Sequence, residues 1–201
     1  MTYDFSGKNA VVTGASRGIG EAIARTLAEG GARVGLVDRS ADALEKLAKS
    51  LPNDPVVIRA DLSSSDGWKP TAEAIVEQLG PVDILVNNAG VSNREPAGEV
   101  TEDGLDLTLN VNVSSISAFS GSIGQIAYAA SKGAVNSMTR NMSIDLGRSG
   151  VRVNAIAPGV IDDGMWTTAF NAGLDREKTM SRMAKLIPLE GRWGSAQNIA
   201  D

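Results

Sequence analysis

A chain of 201 residues, 42% hydrophobic and 21% charged, is one domain's worth with a sizeable core, and its balance excludes a disordered polymer. The net charge of −5 argues against a general binder of nucleic acid or of anionic membrane surfaces. Without a single cysteine or histidine, disulfides, thiolate metal sites and imidazole bases are excluded, leaving acid–base work at neutral pH to Tyr, Lys or a carboxylate.

Residues 8–13 (KNAVVT) predict a buried strand that runs into the glycine cluster of residues 14–20. A helix follows over residues 21–28, with Ile23, Ala24 and Leu27 on one face, and Gly30–Gly31 stops it. A second strand at 32–37 ends on Asp38. The rhythm continues with a helix at 41–50, a strand at 56–60, a helix near 69–79 and a strand at 83–86. Strands alternating with helices of this length predict right-handed βαβ units and an α/β, doubly wound parallel sheet.

After Asn87 the alternation changes. Thr101 reads as a helix cap for residues 101–110, yet residues 111–117 run straight into a long helical pattern at 128–146, followed by a strand at 151–156. One helix–strand unit is missing, a loss of about 20 residues. At the end, Ser195 caps a helix start at 196–201 that is too short to stand alone. The expectation is a single domain, residues 1–201, lacking one central helix–strand unit and a last one. The first eight residues lack the apolar core of a secretory signal, and no run of about eighteen apolar residues is present, so a cytoplasmic protein without a membrane span is expected.

Thr13-Gly-Ala-Ser-Arg-Gly-Ile-Gly20 sits between a strand and a helix, the setting in which glycines let backbone approach a pyrophosphate at a helix N-terminus. Asp38 stands about 20 residues further on, where a carboxylate takes the adenosine ribose hydroxyls, or caps the next helix. A carboxylate there repels a 2′-phosphate, so NAD is expected in preference to NADP; Arg17 and Arg39, either of which could meet a 2′-phosphate, are the counter-evidence. Asp61-Leu62 and Asn87-Asn88-Ala89-Gly90 follow the third and fourth strands, at the sheet end where ligands bind. Tyr128 and Lys132 lie four residues apart on one helical face, so a nearby ammonium favours the phenolate. Ser115 adds a hydroxyl able to bond a carbonyl oxygen.

Together TGASRGIG, Asp38, NNAG, the Ser115–Tyr128 spacing, YAASK and residues 151–159 (VRVNAIAPG) make the chain resemble the short-chain dehydrogenase/reductase family from Phe5 onward. The resemblance implies a Rossmann-type domain that moves hydride between NAD, or NADP, and a small ketone or secondary alcohol. It implies that Tyr128 exchanges a proton with the substrate oxygen, that Lys132 holds the nicotinamide ribose and lowers the Tyr pKa, and that Ser115 polarises the carbonyl. Asn112 becomes the relay Asn, with Asn110 as its alternative. For the cofactor it marks Gly14, Ser16, Arg17, Ile19, Gly20, Asp38, Asp61, Leu62, Asn88, Tyr128 and Lys132, and the backbone of Ile161 for the carboxamide. No metal is implied. Three departures stand out. Asn112 and Ser115 are three residues apart, which places the cut near Val113; Asp163 replaces the family's Thr; and the last helix and strand are absent. Met165, Trp166, Phe170 and Met183 read equally well as an apolar lid or as core. The family forms dimers or tetramers, expected here of a full-length chain. Two readings therefore remain: an active ketoreductase or alcohol dehydrogenase, and a catalytically inactive dinucleotide-binding remnant.

Overall fold

In the computed structural model, which describes residues 3–90, 114–120, 125–162, 166, 170–171, 173–184 and 192–201, strands and helices alternate from the start. β1 (Asn9–Thr13) leads through α1 (Gly18–Glu29), β2 (Arg33–Asp38), α2 (Ala41–Ala48), β3 (Val56–Arg59) and α3 (Trp68–Leu79) to β4 (Ile84–Val86). Each lies within a few residues of its expected place, because each is a local pattern punctuated by glycine or by a polar turn. The four strands form one parallel sheet in the order β3-β2-β1-β4. The order reverses at β1, so the carboxyl end of β1, where Gly14 begins the glycine loop, is the switch point at which open α/β sheets bind ligands.

Both faces of the central strands are covered. Ala10 and Val12 of β1 and Val34 and Leu36 of β2 pack with Ala24, Leu27 and Ala28 of α1 and with Leu44 and Leu47 of α2. On the other face, a Cβ added to Gly35 would lie 3.2 Å from Leu79 of α3 and 3.5 Å from Val11, so glycine there lets α3 sit close. Each fully buried Val or Leu in this core contributes roughly 1.5–3 kcal/mol. Asp83 ties the start of β4 to β1: its carboxylate accepts from the Asn9 backbone N–H and from Lys8 Nζ, both at 3.0 Å. Those bonds, the backbone one first, hold its carboxyl below the usual range.

The chain divides into two units, residues 1–61 with 66–86 and 160–201, and residues 62–65 with 87–159. The first unit also contains a short parallel pair, β5 (Ile161–Asp162) and β6 (Gly194–Ser195), and two helices, α5 (Arg176–Ala184) and α6 (Gln197–Ala200). The expected cap at Ser195 is present. Its Oγ accepts from Asn198 N at 3.2 Å while Asn198 Oδ1 accepts from Ser195 N at 2.9 Å, a reciprocal box. The short α6 is held by docking on α1, where Gln197 Nε2 bonds Thr26 Oγ1 at 3.1 Å.

The second unit is built on a 3-10 turn, Ile116–Ala118, and the long α4 (Ile126–Gly147). The strand expected at residues 151–156 does not form; the backbone there is irregular. Its β-branched pattern is real, but a strand needs a neighbour to bond, and the described residues of this unit contain no strand. The helix expected at 101–110 lies outside the described residues.

Candidate active site

The glycine loop of the first unit has the conformation that its composition predicts. Gly14 (φ 65°) and Gly18 (φ 60°) both occupy the left-handed region, which a Cβ disfavours. Arg17 stands at the N-cap of α1, and its side chain makes no capping bond to the first turn. An uncapped N-terminus behind a glycine turn is what a pyrophosphate requires, and the residues present fit a dinucleotide. The loop is tied to β2 through Asp38: Oδ2 accepts from Ser16 Oγ at 2.8 Å and from Ser16 N at 3.3 Å, while Oδ1 accepts from Ser40 N at 3.2 Å. Asp38 therefore caps no helix, since Ser40 lies outside α2. Its bonds to Ser16 join residues 22 apart, a link that sequence spacing did not show.

Asp61 follows β3 and pairs with Arg39 at 3.9 Å, an exposed and therefore weak contact. A Cβ on Gly67 would meet the Asp61 carbonyl oxygen at 2.3 Å, so glycine is required for the chain to fold back beside Asp61. Ile161 is buried in β5. Because Gly194 N bonds Val160 O at 2.9 Å, the Ile161 N–H faces away from β6. The aromatic side chains of the expected lid do cluster: Trp166 lies 5.9 Å from Phe170 and 4.9 Å from Trp193, and Arg176 stacks 5.1 Å from Phe170. Trp193 was not foreseen; only its distance in the chain hid it. Arg176 also pairs with Asp162 at 2.6 Å. Met165 and Asp163 lie outside the described residues.

In the second unit the acid–base candidates meet on one helix face. Tyr128 and Lys132 occupy the first two turns of α4, with Lys132 Nζ 5.0 Å from the Tyr128 ring centroid. Lys132 is only 3% exposed, and burial lowers its pKa to about 8. The turn carrying Ser115 packs against α4. Ser115 is buried, and its Oγ accepts from Ser117 N at 3.2 Å, which leaves the hydroxyl hydrogen available to donate. Ile116 N bonds Pro158 O at 3.1 Å, fixing that turn from its other side. Sequence reasoning missed Ser114 and Asn136. The Ser114 hydroxyl bonds Asn136 Oδ1 at 2.6 Å, and Asn136 extends the Tyr128–Lys132 stripe by another turn. That i+4 repeat was the available signal. Leu62 and Asn88 belong to this unit, half-buried in irregular backbone. Asn112 and Asn110 lie outside the described residues. Among the described residues no acidic, His or Cys cluster could hold a metal, and no helix is long and apolar enough to cross a membrane.

The family model for short chain dehydrogenases matches residues 8–113 and 109–174, so the match breaks in two where the sequence loses a helix–strand unit. L-xylulose reductase of Bos taurus is 32% identical over 227 residues, covering 100% of this chain and 89% of that protein. Gluconate 5-dehydrogenase of Gluconobacter oxydans is 32% identical, covering 98% and 86%. Against a chain of 201 residues, an alignment of 227 leaves about 26 residues of the xylulose reductase without a counterpart. The crystal structure of L-sorbose reductase from Gluconobacter frateurii, complexed with NADPH and L-sorbose, superposes with a TM-score of 0.91 at 26% identity, covering 100% of this chain and 89% of that one. Sheet order, glycine loop, Tyr–Lys helix and these matches agree: the chain belongs to the short-chain dehydrogenase family, whose members are NAD(P)-dependent oxidoreductases with a Rossmann-like parallel sheet.

Proposed function

We propose that this chain interconverts a ketone and a secondary alcohol, with Tyr128 as the proton donor to, and acceptor from, the substrate oxygen. The observation that carries the reading is the half-buried Tyr128 over the buried Lys132 on α4, beside the Ser115 turn. When bound, the nicotinamide supplies or accepts the hydride at the carbonyl carbon. The chain's own residues handle the proton. Below about pH 8 the Lys132 ammonium is the prevailing form, and beside the phenol it stabilises the phenolate left after proton donation. The Ser115 hydroxyl donates to the carbonyl oxygen and orients it. With no histidine in the chain, no imidazole can take over from Tyr128.

For the cofactor, Asp38 suits the unphosphorylated ribose of NAD, while Arg39 beside it suits NADP; both dinucleotides are proposed to bind. Asn112 is proposed as the relay residue, and the Ile161 N–H as a donor to the carboxamide. The three relatives act, by name, on xylulose, gluconate and sorbose. Polyhydroxylated chains are therefore the first substrates to test. The deciding experiment pairs reduced-cofactor titration with turnover for the parent and for Tyr128→Phe. Retained binding with collapsed turnover supports the assignment, and near-normal turnover in Tyr128→Phe overturns it. A parent that binds cofactor but turns over none of the panel supports the inactive remnant instead.

A further inference from the structure

The turn that carries Ser115 is held at successive points along its length. Ser114, 3% exposed, donates through its hydroxyl to Asn136 Oδ1 at 2.6 Å. Ile116 N bonds Pro158 O at 3.1 Å. Ser117 Oγ stands 3.5 Å from Oε1 of Gln125, the residue that precedes α4. All of these residues belong to the second unit.

The two contacts with α4 lie at opposite ends of one stretch of that helix. From Gln125 to Asn136 the axis advances about 16 Å, and Tyr128 and Lys132 stand between them. Residues 114–117 therefore run antiparallel to α4, and Ser115 is held alongside the stretch that carries Tyr128 and Lys132. Its backbone is extended (φ −160°, ψ 157°), so it spans between the anchors rather than coiling. The anchor at Ser114 is not readily released. A buried hydroxyl without a partner is costly, and half-buried Asn136 supplies that partner. Deprived of it, Ser114 must turn to reach another acceptor, and Ser115, the next residue, turns with it.

With Ser115 as the donor to the carbonyl oxygen, the reading on which this rests, we infer that Asn136 is a positioning residue for the Ser115 hydroxyl, acting through its bond to Ser114. Asn136 touches neither substrate nor cofactor in this role. It sets where along α4 the Ser115 turn sits, and so how the Ser115 hydroxyl and the Tyr128 phenol converge on one oxygen. Misplacing a reacting group by about 1 Å costs up to about a hundredfold in rate, which is the scale at stake.

The test is a double-mutant cycle on the whole chain, read as kcat on L-xylulose and L-sorbose and as NADH and NADPH affinity by fluorescence titration. Asn136→Leu, a helix-favouring change, should lower kcat by about ten- to a hundredfold and leave the affinity for both dinucleotides unchanged. Asn136→Asp, which keeps an acceptor oxygen in the same place, should retain most of the parent's kcat. In a Ser115→Ala background, Asn136→Leu should cost nothing further, because the hydroxyl it positions is gone. Should Asn136→Leu fail to fold by circular dichroism, Ser114→Ala removes the same bond from its other side and is read in the same way. An equal loss from Asn136→Leu with and without the Ser115 hydroxyl overturns the inference, since a general structural role would give that result. Parent-like turnover in Asn136→Leu overturns it too. Parent-like turnover in Ser115→Ala removes the role of Ser115, and the inference falls with it. A folded parent that binds cofactor but reduces neither sugar overturns the ketoreductase reading itself, a result distinct from all the others.

Discussion

Lys132 is buried at 3% exposure with its pKa brought to about 8 by desolvation, below the 10.5 of a free lysine. The unfolded chain therefore holds one more proton than the native chain between those two values, so stability rises with pH across that window. Below about pH 8 both states are protonated and the burial penalty, on the order of 3 kcal/mol, is fully present. Lys132→Met keeps the bulk of the stem and removes the titration. Urea denaturation at a series of pH values should show the rise in the parent and a flatter profile in the variant; parallel profiles would contradict the assignment. The same substitution should weaken both cofactor binding and turnover. Ser115→Ala should differ from it, lowering turnover with little change in NADH affinity, because Ser115 faces the substrate oxygen in this reading. Fluorescence titration beside steady-state rates separates the two.

At the level of elements, the α/β half of the molecule was legible because each strand and helix is written locally. β1 and β2 are β-branched runs, α1 starts at glycines and ends at Gly30, and the order of elements dictates the parallel sheet. Non-local partners were not legible. The Ser16–Asp38 and Ser114–Asn136 bonds each join residues 22 apart, and neither partner carries a mark of the other. Residues 151–156 carry the composition of a strand, but their backbone is irregular and no strand stands among the described residues of their unit. Of the candidate site, the motif residues came from the resemblance, Asn136 was marked only by its i+4 spacing from Lys132, and Trp193 emerged from its three-dimensional neighbours alone. The sheet itself offers a contrast to measure. Leu36 is fully buried in β2, and Leu36→Ala should cost about 2–5 kcal/mol. Leu85 of β4 is 58% exposed, and Leu85→Ala should stay below about 1 kcal/mol. Equal losses in chemical denaturation would show that β4 is as enclosed as β2.

For the whole molecule, the decisive feature is the stretch that the relatives have and this chain lacks. About 26 residues of L-xylulose reductase find no counterpart, and the family match breaks at residues 109–113. Apolar side chains stand exposed in both units: Leu85 in the first, and Met138, Met142, Ile144 and Leu146 along α4 in the second. Exposed apolar surface on this scale favours association without a fixed stoichiometry. Sedimentation of protein with a confirmed mass of 20.9 kDa should show monomer giving way to open-ended aggregate as concentration rises. A stable, discrete tetramer would contradict that expectation. The central claim is that the Tyr128 hydroxyl carries the proton, and one comparison tests it most directly: the rate of reduced-nicotinamide consumption on L-xylulose and L-sorbose by the parent chain and by Tyr128→Phe. Expected are turnover in the parent, a loss of about 10²–10⁴-fold in the variant, and cofactor binding in the variant equal to the parent's. A variant that turns over like its parent would contradict it.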